Sequence, residues 1–336
     1  MRSQKRTLFS SLGASLLFAM TSCGGGGSGG GTPPPPPAGS IYVLGNLLYP
    51  EIFQFSQTAT GAAAPTATIT GAENDYFEGL ATDEKGNIYV GDAASDNSME
   101  ILIFPPGSKG IPNPAVTIST QLVDGIMSLE VDSAGNVYAG SPEPGVYVYS
   151  PMANGHYALS RSIAGSATTI ANPVQMAIDS ANNLFVANAA VPSLGQDSIL
   201  IFNSAANGNV APTSTIGGPK TMINYVQGVA VDGAGNIYVA AGVNSGPTNY
   251  EQNILEFSAG SAGNVAPIRT IGGPSVNSGH CEGLRLDSSG NIYVLNDKIL
   301  KFAAGASGNA SPMSEIDENL DIPNESFDVE SSIALH

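Results

Sequence analysis

Carboxylates and amides are the side chains in this sequence best suited to chemistry, and they recur at two fixed places in a repeating unit. Aligned unit by unit, Glu78, Met127, Val174, Gln227, Glu282 and Glu325 stand just before the first apolar patch. The three glutamates fall in units that become neighbours if the repeat closes into a ring. The end of the second patch carries Asn46, Asp92, Ser141, Asn188, Ala241 and Asn296, and Asn46, Asp92 and Asn296 belong to those same three units. Oxygen ligands converging on one side of a channel mouth suit a hard cation such as Ca²⁺, with Glu78, Glu282 and Glu325 as its carboxylates. The same oxygens suit an amine or sugar hydroxyls, and they are equally at home in water with no ligand.

Other reactive groups offer less. His280-Cys281-Glu282 sets a nucleophile beside a base, but neighbours along a strand point to opposite faces, so adjacency makes no dyad. A lone cysteine is more often a small buried hydrophobe. With only His156, His280 and His336 in the chain, a three-histidine zinc centre would need them all. No phosphate-binding loop or serine-hydrolase elbow occurs. Arg285 and Asp328 take the same strand position in adjacent units and are expected to pair. Tyr49, Tyr76, Phe77, Tyr225 and Tyr250 fall in loops, where they would stack on a sugar or peptide or simply cover the packing.

The elements that must position these groups are written in a phrase used five times: Asp83-Glu-Lys-Gly86-Asn87, Asp132-Ser-Ala-Gly135-Asn136, Asp179-Ser-Ala-Asn182-Asn183, Asp232-Gly-Ala-Gly235-Asn236 and Asp287-Ser-Ser-Gly290-Asn291. The aspartates lie 49, 47, 53 and 55 residues apart, a period that signals a stacked or radial repeat. Each unit holds four short patches rich in β-branched and aromatic residues. They are Gly-Leu-Ala-Thr-Asp83, Ile88-Tyr-Val, Ile101-Leu-Ile-Phe and Thr117-Ile118 in one unit, with counterparts in the others. Patches this short read as strands. The phrase between the first two makes a tight hairpin in which Asp caps the turn and Gly or Asn takes φ > 0.

Four strands per unit repeated radially describe an all-β, six-bladed β-propeller of four-stranded antiparallel blades. The phrases resemble those of the NHL-repeat family across nearly all of residues 41–330, a likeness that speaks for fold and little for function. Ile41-Tyr42-Val43 matches a second strand, so the chain enters mid-blade, and Ser326–Glu330, with Glu330 in the aspartate column, is the expected closing strand. Strands from both termini then complete one blade and remove the exposed edges. The Asp hairpins are expected on the bottom face, with the Gly208-Asn209, Gly263-Asn264 and Gly308-Asn309 turns, and the variable loops on the top face, where binding usually lives.

The first 23 residues read as an export signal. Arg2, Lys5 and Arg6 precede a short apolar run, Leu8–Met20, and then Met20-Thr21-Ser22-Cys23. This resembles the bacterial lipoprotein cleavage box, which implies lipidation of Cys23, although Met20 stands where that family usually has Leu. Residues 24–40, GGGGSGGGTPPPPPAGS, form a flexible and then stiff tether to a single propeller domain at 41–336. Gly24 after the cysteine implies, by the same resemblance, the outer membrane.

Removing the leader's three bases leaves eight Lys and Arg against 28 acids, a net charge of −20. Nucleic acid is excluded for want of a basic footprint. Contact with a membrane is expected through the lipid anchor alone, and the domain is expected to be monomeric. Only Cys281 remains beside Cys23, so no disulfide is expected. The reading favoured by the loops is a tethered, non-enzymatic propeller binding a protein, peptide or glycan through its top face. The alternative is a Ca²⁺-dependent lactonase or hydrolase at the top of the channel. Regucalcin and gluconolactonase propellers are similar in placing a metal there, an analogy that transfers no individual residue.

Overall fold

The computed structural model describes residues 39–46, 49–72, 76–93, 98–190, 196–244, 250–276, 281–317 and 332–336. They form six four-stranded antiparallel sheets. Blade 1 joins Ile333–Leu335 to Ser40–Asn46, Pro50–Ser56 and Ala67–Thr70. Blades 2 to 6 follow in chain order, with innermost strands Tyr76–Thr82, Ser128–Val131, Asn172–Ile178, Val226–Val231 and Gly283–Leu286. Each innermost strand packs against the next, and Ile333–Leu335 closes the ring between Gly283–Leu286 and Tyr76–Thr82.

The hydrophobic core sits between blades. Six apolar clusters occur, one for each joint between neighbouring blades. At the joint of blades 4 and 5, Phe185, Ile199 and Ile216 meet Val229, Val239, Leu255 and Phe257. This follows from the alternation in the strands: both faces of a blade are covered by neighbours, so second strands such as Ile88-Tyr89-Val90 are buried throughout.

The hairpin phrase folds as its residues require. Asp83 Oδ1 accepts from Lys85 N and Asn87 N, both at 2.9 Å, while Oδ2 accepts from Asn87 Nδ2 at 2.7 Å and Tyr89 Oη–H at 3.1 Å. Asp132 and Asp287 repeat the whole set. Gly86, Gly135, Asn182, Gly235 and Gly290 take φ between 59 and 84°, a region that other residues occupy only with strain. Burial tends to raise the Asp287 pKa, but the Asn291 side chain, the Asn291 and Ser289 amides and nearby Lys301 outweigh it and hold the carboxyl below its usual range. A group depressed on folding contributes stability above its unfolded pKa and loses it as pH falls through the folded value. Asp287→Ala should therefore cost about 2 kcal/mol at neutral pH. The gap from wild type should close as pH drops below the ordinary carboxylate range, as urea melts across a pH series would show.

Two expectations about strand placement are corrected. The strand that closes blade 1 is Ile333–Leu335, paired Ile41↔Leu335, Tyr42↔Ala334 and Val43↔Ile333. It is not Ser326–Glu330, which lies outside the described residues. The inner and second strands of blade 1 come from opposite ends of the domain, so no hairpin joins them and no carboxylate is needed to cap one. His336 occupies the aspartate column, giving its N–H to Ser40 O at 3.0 Å and taking Ser40 N–H at 2.9 Å. Ile333-Ala334-Leu335 repeats the pattern of Val229-Ala230-Val231, with an alanine toward the channel where Asp328 would have put a carboxylate. The second correction concerns the Gly-Asn turns, which run to the rim rather than staying with the hairpins. Gly208, Gly263 and Gly308 bridge to Ile163, Ile216 and Ile271 in the outer strand of the preceding blade, as Gly110 does to Ile69 and Gly61 to Ile316. They clip each blade to its neighbour.

Candidate functional site

Inner-strand side chains cross the central channel. Blades 3 and 6 are three apart in a ring of six, so they face each other across the axis. Arg285 of blade 6 reaches Glu130 of blade 3, Nη2 to Oε1, at 2.9 Å. Arg285 was expected to pair with Asp328 in the adjacent blade; it pairs with Glu130 because every other described residue at its strand level, Ala81, Ala177, Ala230 and Ala334, is small enough to leave the axis open. Burial pushes the Glu130 carboxyl up, and the Arg285 charge partly offsets that.

Nearer the top, Gln175 of blade 4 reaches along the ring to the next two blades. Its Oε1 accepts from Val229 N at 2.9 Å and Leu284 N at 3.2 Å, in blades 5 and 6. The strand is bulged beside it, between Pro173 and Gln175, which aims the amide inward. Gly228 makes the room: a Cβ there would lie 2.6 Å from Gln175 Oε1 and 2.9 Å from Leu284 Cβ. Gln175 thus ties three consecutive blades together beside the channel. Below the ion pair the channel opens as a cavity of about 170 Å³, walled by the four alanines with Thr82, Ile178, Val231, Leu286 and Leu335.

The described top-face candidates from the sequence make local contacts. Glu78 Oε2 takes the Ile126 N–H at 2.7 Å, securing the loop that leads into blade 3. Asn188 accepts from Ala171 N at 2.7 Å and donates to Thr169 O at 3.2 Å. Asn296 accepts from Lys298 N at 3.0 Å and donates to Val276 O at 3.3 Å. Each amide thus ties a loop to a strand end. Asp92 is buried at the end of its strand, and Glu282 is half-buried at the start of its own. Glu325 and the side chain of Asn46 lie outside the described residues. The blade 1 register also moves Glu325 out of the column of Glu78 and Glu282, because the counterpart of Gly283 is Ser332. Among the described residues no group of three His, Cys, Asp or Glu is placed to hold a metal ion. Cys281 is buried, and burial, with the Glu282 charge adding to it, pushes its thiol up to about 12, as an unreactive core residue requires.

Two residues that matter were missed in the sequence. Glu130 stands where blades 2, 4 and 5 have Ala, a substitution visible in the aligned repeats. Asp197 bridges blades at the top, accepting from Ala190 N and Val226 N, each at 2.8 Å. No repeat marks it, because it sits in a variable loop.

Fold and site together define a six-bladed β-propeller with an ion pair across its channel and variable loops at one face. No family model and no curated protein matches the chain. Among solved structures, a protein of unknown function from Bacteroides caccae is similar over 88% of this chain and 98% of its own, with a TM-score of 0.56 and 10% identity. The WD40 propeller domain of Doa1 aligns over 77% of this chain and 86% of its own, at TM-score 0.47 and 14% identity. The Dos1 propeller aligns over 84% and 73%, at 0.49 and 7%. Likeness at this identity extends to the fold alone.

Proposed function

We propose that this chain is an exported, lipid-anchored propeller of the bacterial cell envelope, non-enzymatic, which binds a protein, peptide or glycan through its top face. The observation that carries the reading is the braced channel. The Arg285–Glu130 pair crosses the axis where a small-molecule site would lie, and Glu78, Asn188 and Asn296 each tie down backbone. What remains free to differ between blades is the top surface, on a scaffold held rigid by hairpins and clips. Lipidation at Cys23, the Gly- and Pro-rich tether and an outer-membrane address belong to the same reading. The NHL-like phrases are consistent with it.

The face is tested by photo-cross-linking residues in the producing cell, at Val123 on top and at Lys85 and Ser289 in the bottom hairpins. All three positions are exposed. One discrete adduct from Val123 with none from the hairpins is the expected result. Adducts from the hairpins, or from none of the three, overturn it. The anchor is tested by labelled palmitate, which should enter the wild type and not Cys23→Ser.

A further inference from the structure

The loop from blade 4 to blade 5, residues 218–226, has a built-in control in the loop from blade 3 to blade 4, residues 165–173. The two align without a gap and make the same bonds. Thr221 Oγ1 donates to Gly218 O at 2.7 Å and Thr168 Oγ1 to Gly165 O at 2.7 Å. Ile223 N and Ile170 N donate to those hydroxyls, and Lys220 N and Ala167 N donate to Asn264 and Asn209 at 2.7 Å. Even the left-handed residue is shared, Met222 at φ 61° and Thr169 at φ 57°. The scaffold is therefore met by Thr169 and Asn172, which are polar. In the second loop the same two places hold Met222 and Tyr225, 41% and 48% exposed.

The shared frame folds with a polar residue at the first place; at the second the backbones part, since Asn172 opens its strand and Tyr225 precedes its own. Tyr225 also sits at φ 46°, a strained value for an aromatic residue. It is held there from both sides, by Gly242 N–H on its carbonyl at 3.3 Å and by Asp197 on the following amide. A thioether and a half-exposed aromatic ring on a backbone already locked in place have the character of an interface anchor.

Charge selects the partner. Arg269, Arg285, Lys298 and Lys301 are committed to Glu256, Glu130, Asp317 and Asp287. The domain's field is therefore set by its excess of carboxylates, at a formal net charge of −17 for the whole chain. Asp197, beside Tyr225, has no ion-pair partner among the described residues. Lys220 is the loop's one opposing charge. We propose that residues 218–226 anchor the top-face interface and that their partner is a basic polypeptide segment with apolar side chains, its cations favoured by the acidic field and the Tyr225 ring. This rests on the top-face reading above and goes beyond it in naming the anchor and the partner's chemistry.

The probes are two octapeptides, alternating Arg-Leu and alternating Glu-Leu, titrated into the full domain labelled with ¹³C at methionine methyls and backbone ¹⁵N. The Met222 methyl should shift saturably with the Arg-Leu peptide and not with the Glu-Leu peptide. Met222→Thr with Tyr225→Asn, which installs the sibling loop's residues and so keeps the fold, should weaken binding about tenfold or more. Lys220→Ala should tighten it. Equal binding of both peptides, no binding at millimolar peptide, or unchanged affinity in the double variant overturns the proposal. Shifts around Val123 that bypass Met222 overturn the anchor while leaving the top-face reading intact. Shifts confined to the Asp83 and Asp287 hairpins overturn both.

Discussion

Arg285→Ala should lower the melting temperature by about 10 °C. The substitution leaves Glu130 mostly buried beside the axial cavity with no cation; removing one partner of a fully buried pair costs about 3–5 kcal/mol, and partial exposure of this pair places it at the low end. In a domain of this size each kcal/mol is worth about 2–4 °C. The loss should depend on pH in a definite direction. A carboxyl raised on folding binds more protons in the native than in the unfolded state, so its contribution to stability falls as pH rises between the two pKa values. Without Arg285 the Glu130 carboxyl rises further, and the variant's deficit should be largest at neutral pH and shrink toward acid. The groups facing Glu130 from the other described inner strands are Ala81, Ala177, Ala230 and Ala334, so no second titration competes at that level. Replacing both partners, Glu130→Met with Arg285→Met, should return stability to within about 2 kcal/mol of wild type, because a buried pair exchanged for apolar groups is often neutral. Calorimetry of the three proteins at neutral and acid pH checks this. An Arg285→Ala domain that melts like wild type would show that water, not the pair, solvates Glu130.

Deleting Ser332–His336 should remove cooperative unfolding altogether. Ile333 and Ala334 are fully buried at two blade joints, and Thr82 of blade 2 donates to Leu335 O at 2.6 Å. The deletion strips blade 1 of its inner strand and bares the edge of Ser40–Asn46, an unpaired edge that invites association between copies. The expected protein elutes as soluble aggregate and shows no sharp thermal transition. Ile333→Asp, which keeps the backbone but places a charge in the joint, should lose several kcal/mol while still eluting as one species. If the truncated chain melts sharply and elutes like wild type, the closure is dispensable and the pairing of Ile41 with Leu335 carries little energy.

Much of this was legible in the residues. The five Asp–Gly-Asn phrases specify hairpins locally, since a capping carboxylate and a residue at positive φ suffice within five positions. The strand count, the blade number and the entry in mid-blade follow from the same phrases used as a ruler. The ruler failed only where its physical basis was missing. Blade 1 has no hairpin between its inner and second strands, so the acid sought at Glu330 had no turn to cap, and His336 stands there instead.

Contacts between blades were beyond the sequence for a different reason. A repeat tells which residues occupy equivalent places, but not which of six equivalents meet across an axis. Arg285 finds Glu130 because ring closure sets opposite inner strands within one side chain's reach, and Gln175 finds the amides of Val229 and Leu284 in the next two blades round the ring. Glu78, Asn188 and Asn296 each bond a loop's backbone, contacts that the repeat register does not announce. The sequence by itself determined each blade, through short-range turn chemistry and alternation. Only the tertiary structure decided that an ion pair braces the axis, because it alone sets which blades face each other.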